Sequence, residues 1–190
     1  MYCLICGKLS FSHICTKCKK DFLSPKITKR VLEDNFEVFS FFKYTDIKDL
    51  IHTKHKFIGY FIYNILAKES FLKFAKYFQI NNKIFSFSCD DTVQNGYSHN
   101  AILNKYLKSN NITPVHSVLR ATSNIKYSGK SLQFRQNNPR NFTYHYKSDI
   151  DAILVDDIIT TGTTINEAKT VLQKQNINVL FALTLADARD

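Results

Sequence analysis

The stretch that most limits the fold is "AILVDDIITTGTTINEAKTVLQKQNINVLFALTLA", residues 152–186. "AILV" is apolar throughout and reads as a strand buried on both faces. "TINEAKTVLQKQ" carries its apolar residues at helical spacing, and "NVLFALTLA" reads as a second buried strand. Strand, helix and strand in so short a span predict two parallel strands joined by a crossover helix. Sheets of this kind take ligands beyond the carboxyl ends of their strands. "DDIITTG" is expected to lie there, as the loop between the first strand and the helix.

That loop joins two opposed chemistries. Thr160, Thr161, Thr163 and Thr164 offer hydroxyl donors around Gly162, which permits unusual backbone angles. Free amides and the positive end of the helix favour an anion beside them, and a phosphate group fits. Asp156 and Asp157 need a different partner. Two like charges about 6 Å apart repel by about 3 kcal/mol at an effective dielectric of about 20. The acids are therefore expected to accept from neutral hydroxyls or to hold a cation such as Mg²⁺. A phosphorylated sugar with vicinal hydroxyls meets both demands. The plainer alternative is a strand that ends in a solvated turn with a threonine as helix cap. Neither the G-x-x-x-x-G-K-[ST] nucleotide loop nor the G-x-G-x-x-G dinucleotide turn occurs in the chain.

A second pattern stands at the amino end. "CLIC" and "CTKC" place Cys3, Cys6, Cys15 and Cys18 as two pairs with two-residue gaps. Each pair can present both sulfurs to one ion, and two pairs complete a tetrahedral four-sulfur site. Zn²⁺ is the expected ion and its role structural, against a redox or iron alternative. Residues 1–24 read as a zinc-ribbon module too small to bury a core alone, and residues 25–190 as the α/β domain. Lys8, Lys17, Lys19 and Lys20 surround the cysteines. They either offset the thiolates or attract phosphates, which makes Lys17, Lys19 and Lys20 candidates for nucleic-acid contact. His13 reads as a solvated loop residue and Cys89 as a buried apolar one.

Between the two patterns, "FEVFSFFKY" and "KIFSFS" read as strands. Residues 46–78 read as one or two amphipathic helices broken near Gly59. "SHNAILNKYLKS" reads as a helix capped by Ser98, and "TPVHSVL" as a strand. Residues 123–150 read as a long polar loop ending in a short strand. The chain has 190 residues, 44% of them hydrophobic, which excludes a disordered chain. The net charge of +10 and pI near 9.3 favour polyanionic partners, with a merely soluble basic surface as the alternative. Single-strand binders combine a basic groove with stacking rings. Most of the 10 Tyr and 16 Phe are expected in the core, while Tyr97, Tyr127, Tyr144 and Tyr146 lie in polar stretches and are the better stacking candidates. No apolar run of about 18 residues is present and "MYCLICGKLS" lacks the order of a signal peptide, so a cytoplasmic location is expected.

"ILVDDIITTGTT" resembles the 5-phosphoribosyl-1-pyrophosphate (PRPP) motif of type I phosphoribosyltransferases. With the four-cysteine ribbon, the chain resembles the ComF/ComFC family of competence proteins. "NGYSHNAIL" is similar to that family's R-G-[FY]-[ND]-[QH] segment, keeping Gly96, Tyr97 and His99, with Asn95 in the arginine position and Ser98 in place of the polar amide. "SLQFRQNNPRNF" and "LTLADAR" are similar to its later arginine–asparagine stretch and closing strand. The resemblance implies an α/β, parallel-sheet, type I phosphoribosyltransferase-like domain. It implies that Asp156 and Asp157 hold the ribose hydroxyls and that Thr160 to Thr164 cradle the 5-phosphate, with Mg²⁺ accompanying PRPP. Arg120, Lys126, Lys130, Arg135 and Arg140 are candidates for anion or nucleic-acid contact, beside Tyr127. The implied role is handling single-stranded DNA during natural transformation, with other competence or inner-membrane translocation proteins as partners at the cytoplasmic face of that membrane. The alternatives are an active phosphoribosyltransferase on a nucleobase-like acceptor, or a silent PRPP or nucleotide sensor.

Overall fold

The computed structural model describes residues 1–89, 96–123 and 132–189. A mixed sheet holds the molecule together, in the order β1-β2-β8-β7-β3-β4. Its strands are β1 (Thr28–Val31), β2 (Glu37–Lys43), β3 (Ile84–Ser88), β4 (Ile112–Val115), β7 (Asp151–Ile159) and β8 (Asn178–Asp187). β2, β8, β7, β3 and β4 run parallel, and only the edge strand β1 is antiparallel to its neighbour. A separate antiparallel pair joins β5 (Leu119–Ala121) to β6 (Phe142–Tyr144). The helices are α1 (Thr16–Phe22), α2 (Tyr44–Ile51), α3 (Phe57–Glu69), α4 (Phe71–Tyr77), α5 (His99–Lys105), α6 (Leu132–Asn137) and α7 (Thr163–Gln173).

β7 is the central strand, and its alternating side chains feed two cores. Ile153 and Val155 join Ile51, Ile62, Leu66 and Leu103, from α2, α3 and α5. Ala152 and Leu154 join Ile165, Ala168 and Leu172 of α7 on the other face. Helices on both faces cover a sheet whose central strand is buried on both sides from Ala152 to Asp157. The crossover from β3 through α5 to β4 leads one way along the sheet, and that from β7 through α7 to β8 leads the other way. The crevice between β3 and β7 is thus the switch point at which open α/β sheets admit ligands.

The α/β class, the parallel sheet and the strand–helix–strand unit are as the sequence predicts. Several details differ. The helical region is interrupted by a 3₁₀ turn at His52–His55, by extended Lys56 and by Ser70 rather than at Gly59, which lies within the first turn of α3. There a Cβ would collide with the Thr53 carbonyl and the Tyr97 hydroxyl, so the glycine serves close packing and not a break. "TPVHSVL" is split between β4 and β5, because Ser117 turns the chain with φ +63°. Pro114 is tolerated because β4 is an edge strand. The segment expected to be a long loop ending in a short strand contains the helix α6 besides the short strand β6. β1 was not anticipated.

Candidate functional site

Past Val155, β3 has ended and β7 continues to Ile159 beside β8 alone. The two acids therefore lie within a strand, not in the loop after it, because β8 extends the hydrogen-bonding ladder through Asp156↔Thr184 and Ile159↔Asp187. Both are buried, at 8% and 6% exposure. Their carboxylates stay charged only with partners, and the chain supplies them. Asn100 Nδ2 donates to Asp156 Oδ1 at 2.9 Å, and the Asp157 amide donates to the same oxygen at 2.9 Å. Asp157 Oδ2 receives Lys54 Nζ at 2.8 Å and the Tyr63 hydroxyl at 3.0 Å, with His99 Nε2 at 3.5 Å.

These contacts decide the charge state. Burial pushes the Asp157 carboxyl up, but the Lys54 ammonium and His99, with hydrogen bonds from Lys54 and Tyr63, outweigh it and hold it well below the usual carboxylate range. Tyr63 moves the other way. Its burial, and then the Asp157 charge, keep the phenol protonated and donating. Ser98 caps α5 by accepting from the Ala101 amide at 3.1 Å, which brings His99 and Asn100 to the pair. The Tyr97 hydroxyl lies 2.9 Å from the Lys54 carbonyl and 3.2 Å from that of Lys56, holding the turn that carries Lys54. The "NGYSHN" segment thus supports the acid pair. Asn95 itself lies outside the described residues. Lys54 and Tyr63 were not anticipated as site residues, since nothing in their local sequence separates them from an ordinary amphipathic face.

The threonine half stands at the end of the same strand. Gly162 has φ +86° and precedes α7 with no side chain of its own to cap it, and the Thr163 amide donates to Thr161 Oγ1 at 3.4 Å. Thr161 Oγ1 and Thr163 Oγ1 are 2.8 Å apart, and Asn166 N bonds to the Gly162 carbonyl at 2.9 Å. Thr160, Thr161, Thr163 and Thr164 are all part-exposed. Arg30 of β1 fixes the turn from behind, donating to the Thr160 carbonyl at 2.6 Å, to the Thr161 carbonyl at 3.4 Å and to Asp187 Oδ1 at 3.3 Å. Leu32 packs on Gly162, and the carboxylate of Glu167 on α7 accepts from the Arg140 and Asn141 amides at 3.0 and 2.6 Å. Arg30 and Leu32 thus hold the glycine–threonine turn beside the buried acids.

At the amino end, the sulfurs of Cys3, Cys6, Cys15 and Cys18 all lie within 4.8 Å of one another, and Cys6 and Cys15 are 3.9 Å apart. Tetrahedral sulfurs at about 2.3 Å from one zinc ion stand about 3.8 Å apart, so the residues fit such an ion. Burial pushes the Cys3 thiol up, but the backbone amides of Cys15, Cys6 and Ile5 outweigh it and hold it at about 6. Cys18, buried beside the other sulfurs, is pushed up to about 12. A metal ion among them would hold all four as thiolates. Ile14 and Leu23 anchor this segment in the core beside α3, and His13 stacks on Phe61 with centroids 4.8 Å apart. His13 is therefore half-buried against a ring and not a simple solvated loop residue. Cys89 is buried, as expected.

Among the described residues, the expected nucleic-acid candidates sit on separate elements. Lys17, Lys19 and Lys20 lie on α1 beside the cysteines, Arg120 is exposed on β5, and Arg140 is half-buried beside α7. Lys126, Tyr127, Lys130 and the Arg135 side chain lie outside the described residues. Tyr97 and Tyr144 direct their hydroxyls to backbone carbonyls, while Tyr146 packs on Phe85.

No family model matches the chain, and no curated protein matches it. Among solved structures it is similar to a hypoxanthine phosphoribosyltransferase from Staphylococcus aureus, at 17% identity and TM-score 0.41, over 66% of this chain and 62% of that one. The chain thus spans less than two thirds of that protein. It is also similar to an adenine phosphoribosyltransferase from Saccharomyces cerevisiae, solved with adenine and an imino-altritol bisphosphate, at 14% identity and TM-score 0.44, over 86% and 84% of the two chains. Orotate phosphoribosyltransferase from Aeropyrum pernix is matched at 16% identity and TM-score 0.36, over 91% and 93%.

Proposed function

We propose that the crevice beside the end of β7 binds a phosphorylated ribose, PRPP or a close relative, in a type I phosphoribosyltransferase-like domain. The observation that carries this reading is the pairing of two buried acids, Asp157 held ionised by its partners, with a glycine–threonine turn at a helix start, on one strand at a switch point. Asp156 and Asp157 accept from the ribose hydroxyls, and the amides and hydroxyls of Thr160 to Thr164 hold the 5-phosphate. Mg²⁺ travels with the pyrophosphate of PRPP. Residues 1–24 form a module stabilised by Zn²⁺ on Cys3, Cys6, Cys15 and Cys18, and residues 25–190 form the ribose-phosphate domain. Asp156→Asn with Asp157→Asn should abolish PRPP binding in calorimetry while leaving the circular dichroism spectrum intact. Unchanged affinity would remove the acids from the site.

A second ligand, single-stranded nucleic acid, is favoured by a different surface. A cavity of about 480 Å³ lies between the cysteine segment and α3, lined by Phe11, His13, Tyr60 and Phe61 together with Lys19, Lys68 and Glu69. Phe11 is fully exposed, and Phe57, 79% exposed, meets Phe61 with centroids 5.7 Å apart. Rings flanked by lysines suit stacked bases and their phosphates. This supports the competence reading, a protein that handles incoming single strands beside inner-membrane partners. Phe57→Ala should weaken single-strand binding at fixed salt by about 5- to 160-fold, the range of one stacked base. Wild-type affinity should fall along a log–log line with salt. A flat salt response, or an unaffected Phe57→Ala, would refute this second reading. Pyrophosphate release from PRPP with a panel of nucleobases distinguishes turnover from binding alone.

A further inference from the structure

The acid pair carries its own cation. Lys54 reaches Asp157 Oδ2 at 2.8 Å from a turn that is far away in sequence, and its side chain is 23% exposed. Its position is built, not incidental. The Tyr97 hydroxyl holds the Lys54 carbonyl, and Gly59 leaves room for that hydroxyl and for the Thr53 carbonyl. The Lys56 amide closes the turn on the Thr53 carbonyl at 2.8 Å, and Thr53 Oγ1 bonds back to the Leu50 carbonyl at 2.6 Å. Tyr63 and His99 complete the shell around the same carboxylate oxygen. Two carboxylates on adjacent residues would otherwise form a site of charge −2, the kind that recruits a divalent ion. With the lysine in place, one of those charges is compensated at 2.8 Å. A divalent ion seated on Asp157 Oδ2 would have to displace the ammonium.

We propose that Lys54 is the built-in counter-ion of the acid pair, so that this crevice binds the ribose diol without a divalent cation. The proposal rests on the ribose-phosphate reading above and concerns how that site is regulated by metal. PRPP carries Mg²⁺ on its own pyrophosphate and would hide the effect, so ribose 5-phosphate is the informative probe. Its hydroxyls donate to the carboxylates of the pair beside Lys54, Tyr63, His99, Asn100 and the Asp157 amide.

The test has two arms, each with the full chain. In calorimetry, wild type should bind ribose 5-phosphate equally, within about threefold, in EDTA and in excess Mg²⁺. Lys54→Met should bind at least about tenfold more weakly in EDTA and recover with Mg²⁺, while Lys54→Arg should keep the metal independence. A wild type that needs Mg²⁺, or a Lys54→Met that binds as wild type in EDTA, would overturn the proposal. In the second arm no sugar is present and Mn²⁺ is followed by its electron paramagnetic resonance signal. Lys54→Met should gain one Mn²⁺ site, and Asp156→Asn with Asp157→Asn in that background should remove it. A Mn²⁺ site of equal strength in wild type would overturn the counter-ion role. Failure of ribose 5-phosphate to bind in either medium would overturn the parent reading, and the Mn²⁺ result would then decide the counter-ion role by itself.

Discussion

Gly162→Ala tests how the anion turn is built. Gly162 has φ +86° and ψ −5°, a left-handed geometry that costs an L-residue about 1–2 kcal/mol. A Cβ there would also stand 2.8 Å from Leu32 Cδ2 and 3.0 Å from Cδ1. The contact meets the end of a flexible side chain, so its relief costs about 1 kcal/mol of repacking. The sum is a loss of about 2–3 kcal/mol. For a chain of this size it lowers Tm by about 4–12 °C. Urea unfolding gives the free energy directly. Leu32→Ala on the same background should recover the steric share of about 1 kcal/mol and leave the backbone share, a coupling that a double-mutant cycle resolves. A Gly162→Ala stability within about 0.5 kcal/mol of wild type would refute the strain and the packing together.

Two more perturbations follow from the same geometry. The Asp157 carboxyl is depressed below its unfolded value of 3.8, so its stabilising contribution is fully present above that value and is lost as pH falls toward the folded one. Urea midpoints of wild type should therefore fall more steeply below about pH 4 than those of Asp157→Asn, and parallel curves would contradict the pairing. Elemental analysis should find about one zinc per chain, lost in Cys6→Ser and kept in Cys89→Ser. Because Cys3, Cys18, Ile14 and Leu23 share a core with α3, chelation should also lower Tm. A chelator that removes zinc without moving Tm would show that the core alone holds this segment.

The parts legible in the sequence are those in which a local pattern determines the outcome. The unbroken apolar run of "AILV" led to a central strand, the serine before "HNAIL" to a helix start, and the paired cysteines to a cluster. Strand length was not legible, because β7 passes through both acids only by pairing with a β8 that is equally long. Four-residue β1 was hidden among the basic residues after Pro25, since an edge strand needs little apolar sequence. The break assigned to Gly59 shows the same limit. The glycine is required by the Thr53 carbonyl of the preceding turn and by the hydroxyl of Tyr97, a residue far along the chain. Charge arithmetic asked for neutral hydroxyls or a cation beside the acid pair but could not point to Lys54, which only the tertiary fold brings to Asp157.

The central claim is that one ligand spans the acid pair and the threonine turn. Amide chemical-shift mapping of the full chain during a PRPP titration tests it most directly. The largest shifts should fall at Thr160 to Thr164, with companions at Asp156, Asp157 and the Lys54 turn, and should vanish in Asp156→Asn with Asp157→Asn. Shifts concentrated in residues 1–24, with Asp156 to Thr164 unmoved, would contradict it.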